Sequence, residues 1–410
     1  MPDSNGSSRK NRRRRRWRHR VRFPLIALLI VIAIGGTLTW LVTGDRGPLG
    51  LPTSGSTQPA AAPAGAFFRG DLRRTGVYPS AHVPVAPRVL WTYDTGAPVA
   101  STAVIDGDRL FFSSQDGQMY ALEAGTGLRV WSFKAPSGYL GSPAVAGGVV
   151  YVGGNRGNLY ALDALTGQEV WRFATSAGVN TAPAVSAGRV FFGCNDGALY
   201  AVSVKTGREV WRFRTGGMVL ASPTVSGSEL YFGSGDGNFY ALDAGNGRER
   251  WRFPVAKGVG STAALAGRSL FFGGLDGNVY VVDTRTGRER WRFATDQLIV
   301  SSPAVDGGLV YAGGIDGWLY ALDAQTGQEQ WRFDTGNAIY SSPAVADGYV
   351  IFGDYQGNLR ALDATTGEVA WSFVTKEGIF SSPVPSGDFV YFGDNDGHLY
   401  ALHGEFVGGR

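Results

Sequence analysis

Three observations on the 410-residue sequence predict an all-β fold, an eight-bladed β-propeller of four-stranded blades preceded by one transmembrane helix. Tryptophan recurs every forty residues, at Trp91, Trp131, Trp171, Trp211, Trp251, Trp291, Trp331 and Trp371, without one insertion. Each repeat holds four short β-prone runs separated by glycine turns, and no helical period appears after residue 43. Ahead of the repeats, residues 23–43 run for 21 positions without a charge.

The uncharged run comes first in the chain and reads FPLIALLIVIAIGGTLTWLVT. At ~1.5 Å rise per residue it spans about 30 Å, the thickness of a bilayer's hydrocarbon core. Residues 1–22 carry ten basic side chains (Arg9, Lys10, Arg12 to Arg16, Arg18, Arg20, Arg22) against one acid, Asp3. This asymmetry predicts a cytoplasmic tail, with everything after residue 43 outside the cytoplasm. The run is long for a cleaved signal and no A-x-A follows it closely, so the expectation is a single-pass anchor in the cell membrane. The charge count also removes the case for nucleic acid. The chain has 38 Lys+Arg and 34 Asp+Glu; without the tail's ten and one, residues 23–410 keep 28 and 33, a net of −5. No nucleic-acid partner is expected.

Residues 44–66, GDRGPLGLPTSGSTQPAAAPAGA, lack periodicity and aromatics and read as a disordered linker. The propeller is expected over 67–410. In one repeat, 301–334, the runs SSPAV, LVYAGG, WLYALD and EQWRF are the four strands, and Asp316-Gly317 marks a tight hairpin. Such units repeated at a period of about forty residues make a propeller. Hairpin units number eight, from 110–122 to 390–402, but the Trp strands are shifted against them. RVLWTY at 88–93 precedes every hairpin, and the last hairpin has no Trp strand after it. The N-terminal strand is therefore expected to close the last blade, which removes both free ends of the ring.

The repeats carry A-x-D-x-x-T-G-x-x-x-W, seen at Ala161, Asp163, Thr166, Gly167 and Trp171 and again at Ala321, Asp323, Thr326, Gly327 and Trp331. This resembles the tryptophan-docking motif of the PQQ-like eight-bladed propellers, which include quinoprotein alcohol dehydrogenases and the BamB-like assembly lipoproteins. The lead-in FFRGDLRRTGVYP at 67–79 is similar to that of BamB-like chains. The resemblance covers residues 67–410 and implies that the eight repeated tryptophans are structural, each locking its blade to the next. Glu123 and Ser203 at the Asp position and Asn246 at the Thr position depart from the motif, and the eighth copy stops after Ala401. WD40 repeats are a poorer match.

An enzyme of this family would hold a quinone against a vicinal disulfide, with calcium. Cys194 is the single cysteine, and the unbroken forty-residue step leaves no inserted loop to gather calcium ligands. No PQQ, other cofactor or metal is expected, and no catalytic residue is assigned. The hairpin aspartates (Asp116, Asp196, Asp236, Asp276, Asp316, Asp396) have a sufficient role in their turns. Ser101-Thr102, Ser261-Thr262 and Ser301-Ser302 begin inner strands with no histidine placed to activate them. His398 and His403 read as surface residues and Cys194 as a small core residue.

Information about a partner must lie where the blades differ. Hairpin tips are small or polar early (Gln115, Asn155, Asn195, Gly235) and become Leu275, Ile315 with Trp318, and Tyr355. The loops joining blades, expected on the same face, change from Ala100, Asn180 and Gly260 to Leu298, Ile299 and Val300, then Ile339 and Tyr340, then Ile379 and Phe380. These residues form the expected partner-binding patch. The expected function is a membrane-anchored, extracytoplasmic scaffold that binds an envelope protein, as the BamB-like resemblance implies. The alternatives are a ligand-sensing ectodomain with a separate signalling partner and a PQQ-dependent dehydrogenase.

Overall fold

The structure is a computed structural model and describes residues 65–135 and 141–404. The basic tail, the expected transmembrane helix at 23–43 and the linker up to residue 64 lie outside the described residues. Among the described residues, no helix is long and apolar enough to cross a membrane.

Eight antiparallel sheets follow one another, as the period predicts, each of four strands except that Gly65–Ala66 adds a short fifth to one. In each blade a three-residue inner strand leads to two longer middle strands and an outer strand, as in Ala304–Asp306, Leu309–Gly313, Trp318–Asp323 and Glu329–Asp334. The middle strands are buried on both sides and so read as near-continuous apolar runs. The outer strands alternate. The ring closes as expected: Arg88–Asp94 pairs antiparallel with His398–His403 and completes the eighth blade.

Neighbouring blades are held by the repeated indole. The outer strand bulges just before each Trp, which turns the side chain toward the next blade. Seven indole N–H groups donate to a carbonyl 33 residues on, at 2.8–3.2 Å. The ring lies on the turn glycine that follows. At Gly167 (φ 72°) an added Cβ would stand 2.6 Å from the Trp131 ring. Backbone sign and contact thus both demand glycine there. The motif's departures keep the turn: Thr126 Oγ1 donates to Glu123 Oε2 (2.8 Å), and the Asn246 amide donates to Asp243 Oδ1 (3.2 Å). Trp371 is the exception. Its indole N–H is buried with no acceptor among the described residues.

The inner strands add a second connection. The amide of Thr102 donates to Ser142 Oγ (2.9 Å). The same bond joins Ala182 to Ser222, Ser222 to Thr262, Thr262 to Ser302, Ser302 to Ser342, Ser342 to Ser382, and Ser382 back to Thr102. Seven of the eight junctions are bridged; the junction from Ser142 lacks a hydroxyl because residue 182 is alanine.

Five of the six hairpin aspartates are structural, and in blade eight buried Asp394 takes the place expected of Asp396. Asp196 Oδ2 accepts from Tyr200 Oη (2.7 Å) and Oδ1 from the Ala198 amide, and Asp236 and Asp276 repeat the arrangement. In blade seven arginine replaces the tyrosine. The acid has moved with it, so that buried Asp354 meets Arg360 Nη1 at 2.6 Å.

The lead-in is laid across the inner strands. Gly65–Ala66 pairs with Ala144–Ala146, so the last two residues of the expected linker form a strand. Backbone pairing on an open inner edge needs no side-chain pattern, and composition does not reveal it. From there the carbonyls of Leu72, Arg73, Thr75 and Gly76 accept from Val225, Leu265, Val305 and Val345 in turn.

Two outcomes follow. Trp211→Phe loses its indole hydrogen bond and should cost about 1 kcal/mol more in urea unfolding than Trp371→Phe, whose indole has no acceptor among the described residues. Equal losses would contradict the docking account. Burial, with Asp196 adding to it, raises the Tyr200 phenol to about 12, and burial alone raises Tyr151 to about 12. Unfolded tyrosine ionises at about pH 10. This stabilisation is therefore complete below pH 10 and is lost as pH rises through about 12. Tyrosinate absorbance and loss of β circular dichroism should appear together in that window; ionisation well before unfolding would contradict it.

Candidate functional site: a funnel and its aromatic rim

Hairpin tips and inter-blade loops share one face of the ring, joined by backbone bonds such as Ile315 N–H to Leu298 O (3.1 Å) and Tyr355 N–H to Ala338 O (2.9 Å). At its centre a cavity of about 190 Å³ opens. Its rim takes one residue from each of seven inter-blade loops, among them Asn180, Leu220, Val300, Tyr340 and Phe380. Below them lies the hydroxyl belt of Thr102, Ser142, Ser222, Thr262, Ser302, Ser342 and Ser382. Each belt oxygen accepts from the neighbouring blade, which leaves its O–H to donate.

The lead-in makes the floor. Phe68 faces the cavity, with the Arg74 guanidinium 5.6 Å from its ring centroid. Arg69 and Arg74 are fully buried, and their acceptors are carbonyls on opposite sides of the ring. Arg69 donates to Pro303 O (2.5 Å) and Pro343 O (3.3 Å). Arg74 donates to Pro183 O (2.9 Å), Pro223 O (3.3 Å) and Phe68 O (2.7 Å). Burial lowers both, Arg69 to about 10 and Arg74 to about 9, so both stay charged at neutral pH. Proline carbonyls are free to accept because the inner-strand apices lack other partners for them, and a forked guanidinium reaches two at once.

The expected patch divides. Ile299, Ile339 and Ile379 are fully buried and belong to the core, a correction to their assignment as contact residues. Each fills the space over a strand glycine, Gly273, Gly313 and Gly353, where an added Cβ would come within 2.4 Å of the isoleucine. Val179, Val219, Val259 and Val99 do the same over Gly153, Gly193, Gly233 and Gly393. The other eight residues are half-buried. Tyr340, Phe380 and Tyr355 come together: Tyr340 stacks on Phe380 with centroids 4.8 Å apart, and Tyr355 meets Phe380 edge-on at 5.8 Å and Tyr340 at 6.1 Å. Burial raises the Tyr340 phenol above its ordinary value. Val300 joins them on the funnel wall, and Leu275 leans over Gly260 on the rim. Trp318 stands apart, one ring face covered by the Arg332 guanidinium at 4.6 Å. Leu298 and Ile315 meet through their backbones on the same face.

Of the serine and threonine pairs, only the second member lines the funnel. Ser101, Ser261 and Ser301 turn into their own blades and bond Ser113, Gly273 and Gly313. Among the described residues, the lining holds hydroxyls, one amide and apolar groups, with no carboxylate, imidazole or thiol. Cys194 is buried, its thiol raised to about 11, and donates to Ala177 O. His398 lies beside Asp394 and Asp396, each at 3.7 Å, on the blade-eight hairpin, and His403 packs against Phe389. Among the described residues, no three His, Cys, Asp or Glu side chains gather to hold a metal. This donor set does not fit a metal-assisted quinone. Sequence reading missed Phe68, Arg69, Arg74 and most of the belt; the belt's own forty-residue step was the available signal.

Two families match parts of the chain. One, described as the β-propeller of beta-alanine-activating enzyme, matches residues 148–345; the other, outer membrane protein assembly factor BamB, matches 84–142 and 315–405. Comparison with curated proteins finds no match. Similar solved structures include BamB from Moraxella catarrhalis (19% identity, 78% of this chain and 100% of that one, TM-score 0.69). Quinohemoprotein alcohol dehydrogenase from Comamonas testosteroni is 16% identical over 84% of this chain and 81% of that one, with TM-score 0.74. A europium-containing methanol dehydrogenase is 15% identical over 83% and 98%, with TM-score 0.73. The blade count, the ring closure and the BamB match at both ends of the ring agree: the chain is a PQQ-like, BamB-like β-propeller.

Proposed function

We propose that the chain is a membrane-anchored, extracytoplasmic scaffold that binds a protein partner through its funnel face, in envelope or outer-membrane protein assembly of the BamB-like type. The observation that carries this reading is the Tyr340–Phe380–Tyr355 cluster on the hairpin face. Three neighbouring aromatics beside a depression are the composition of an interface anchor. The same fold serves both dehydrogenases and BamB, so function must be argued from the site. Among the described residues, the funnel lining offers no acid, base or nucleophile activated by one, which supports binding over catalysis. The anchor and its orientation rest on the apolar run at 23–43 and the basic tail before it.

A ligand-sensing ectodomain is the second reading. It draws on the hydroxyl belt, whose free O–H donors line a cavity closed below by Phe68. The two readings separate in one experiment. The full-length chain is cross-linked in its native membrane and the recovered partner identified by mass. Tyr340→Ala with Phe380→Ala should lower recovery of that partner about tenfold, while Trp318→Ala should leave it unchanged. Undiminished recovery from the double variant would overturn the scaffold reading at this site.

A further inference from the structure

The outer strand of each blade is an open edge among the described residues. In blades two to six these edges carry charge. Glu169, Glu209, Glu249 and Glu289 each pair with an arginine three residues on, at 2.7–2.8 Å, and Glu329 with Arg332 at 3.5 Å. In blades two to five the arginine also lies over the neighbouring tyrosine, 5.4–5.7 Å from its centroid. Charged edges of this kind keep strands from adding to one another. Blade seven lacks the device. Its outer strand, Val369–Val374, reads VAWSFV and is the one outer strand of the eight with no charged residue. Val369 is 46% and Val374 65% exposed. Ser372 stands where those five blades have arginine.

We propose that this strand pairs antiparallel, edge to edge, with the same strand of a second copy of the chain. A two-fold axis through residue 372 sets Ser372 opposite Ser372 and Val374 opposite Ala370, with no charge in the pairing. At the five arginine-bearing edges the same pairing would set arginine against arginine, which is destabilising; the edges with Ser132 and Thr92 there keep charge elsewhere, at Arg129 and Lys134 and at Arg88 and Asp94. This distinction selects the occupant. A strand of different sequence can meet an arginine-bearing edge with an acid, whereas a second copy brings the same arginine to the axis. Serine at 372 removes an obstacle specific to self-pairing. The exposed valines at both ends of the strand then pack on the joined surface. The contact is separate from the funnel face, so it stands or falls apart from the scaffold reading.

Disulfide trapping of the full-length chain in its native membrane tests it. Across the axis the two Cα atoms lie about 4.5–5.5 Å apart, within disulfide reach, and buried Cys194 does not compete. Ser372→Cys should give a covalent dimer under mild oxidation, whereas at the second position, blade three, Val210→Cys with Arg214→Cys, the residues that would face each other in the same pairing with Arg212 kept on the axis, should give none. In detergent, Ser372→Arg should weaken self-association about tenfold while keeping the wild-type melting temperature, since five blades already carry arginine there. Absent or equal cross-linking at the two positions, cross-linking of Ser372→Cys only to another polypeptide, or self-association unaltered by Ser372→Arg would overturn the proposal.

Discussion

The ring depends on one contact, an indole laid on the turn glycine of the neighbouring blade. Trp131 on Gly167 shows how little freedom it leaves: the glycine has φ 72°, and a Cβ would enter the ring plane. The angle between blades is set by that contact repeated around the circle. Eight equal steps close when every blade repeats the same strands and docking turn, and the unbroken forty-residue period is the sequence record of that regularity. The hydroxyl belt works at smaller radius, where only three-residue strands meet, and ties the inner ends at the same step.

The centre of such a ring poses a different problem. Inner-strand apices converge and turn proline carbonyls toward the axis, where no strand remains to pair with them. Arg69 and Arg74 meet this need, each reaching carbonyls from two or more blades. A carboxylate partner would neutralise them but leave those carbonyls unsatisfied. Two cations without a buried acid between them are tolerated because the acceptors around them are so numerous. The same segment gives the funnel its floor, and this turns a through-channel into a one-sided depression.

Much of this was legible. Tryptophan spacing, hairpin glycines and the displaced first strand state the blade count and the closure, because each is a local requirement repeated many times. The funnel floor was not legible. Arg69 and Arg74 occur once each, in a polar stretch that reads as surface, and their acceptors lie more than a hundred residues away. The misreading of Ile299, Ile339 and Ile379 has a related cause. Apolar residues in a loop suggest a patch, yet valine at 99, 179, 219 and 259 marks the same position as core. The aromatic cluster was foreseen by composition, but the separation of Trp318 from it was not, since Arg332 covers that indole only in the folded blade.

The lead-in has a consequence for how the molecule is made. Residues 65–94 leave the ribosome before the other strands of the ring, yet their partners extend to His403, the last residue of the last described strand. Blades two to seven can assemble as neighbours while translation continues. The opening segment cannot settle until the chain is nearly complete. Its contacts are among the longest in sequence that the fold makes, and contacts of that kind form slowly. During the wait, the Arg88–Asp94 strand and the uncovered edge of the eighth blade are each other's missing half, and both are open to wrong partners. Final closure is thus the step at which this protein is most exposed to aggregation and most open to assistance from a chaperone.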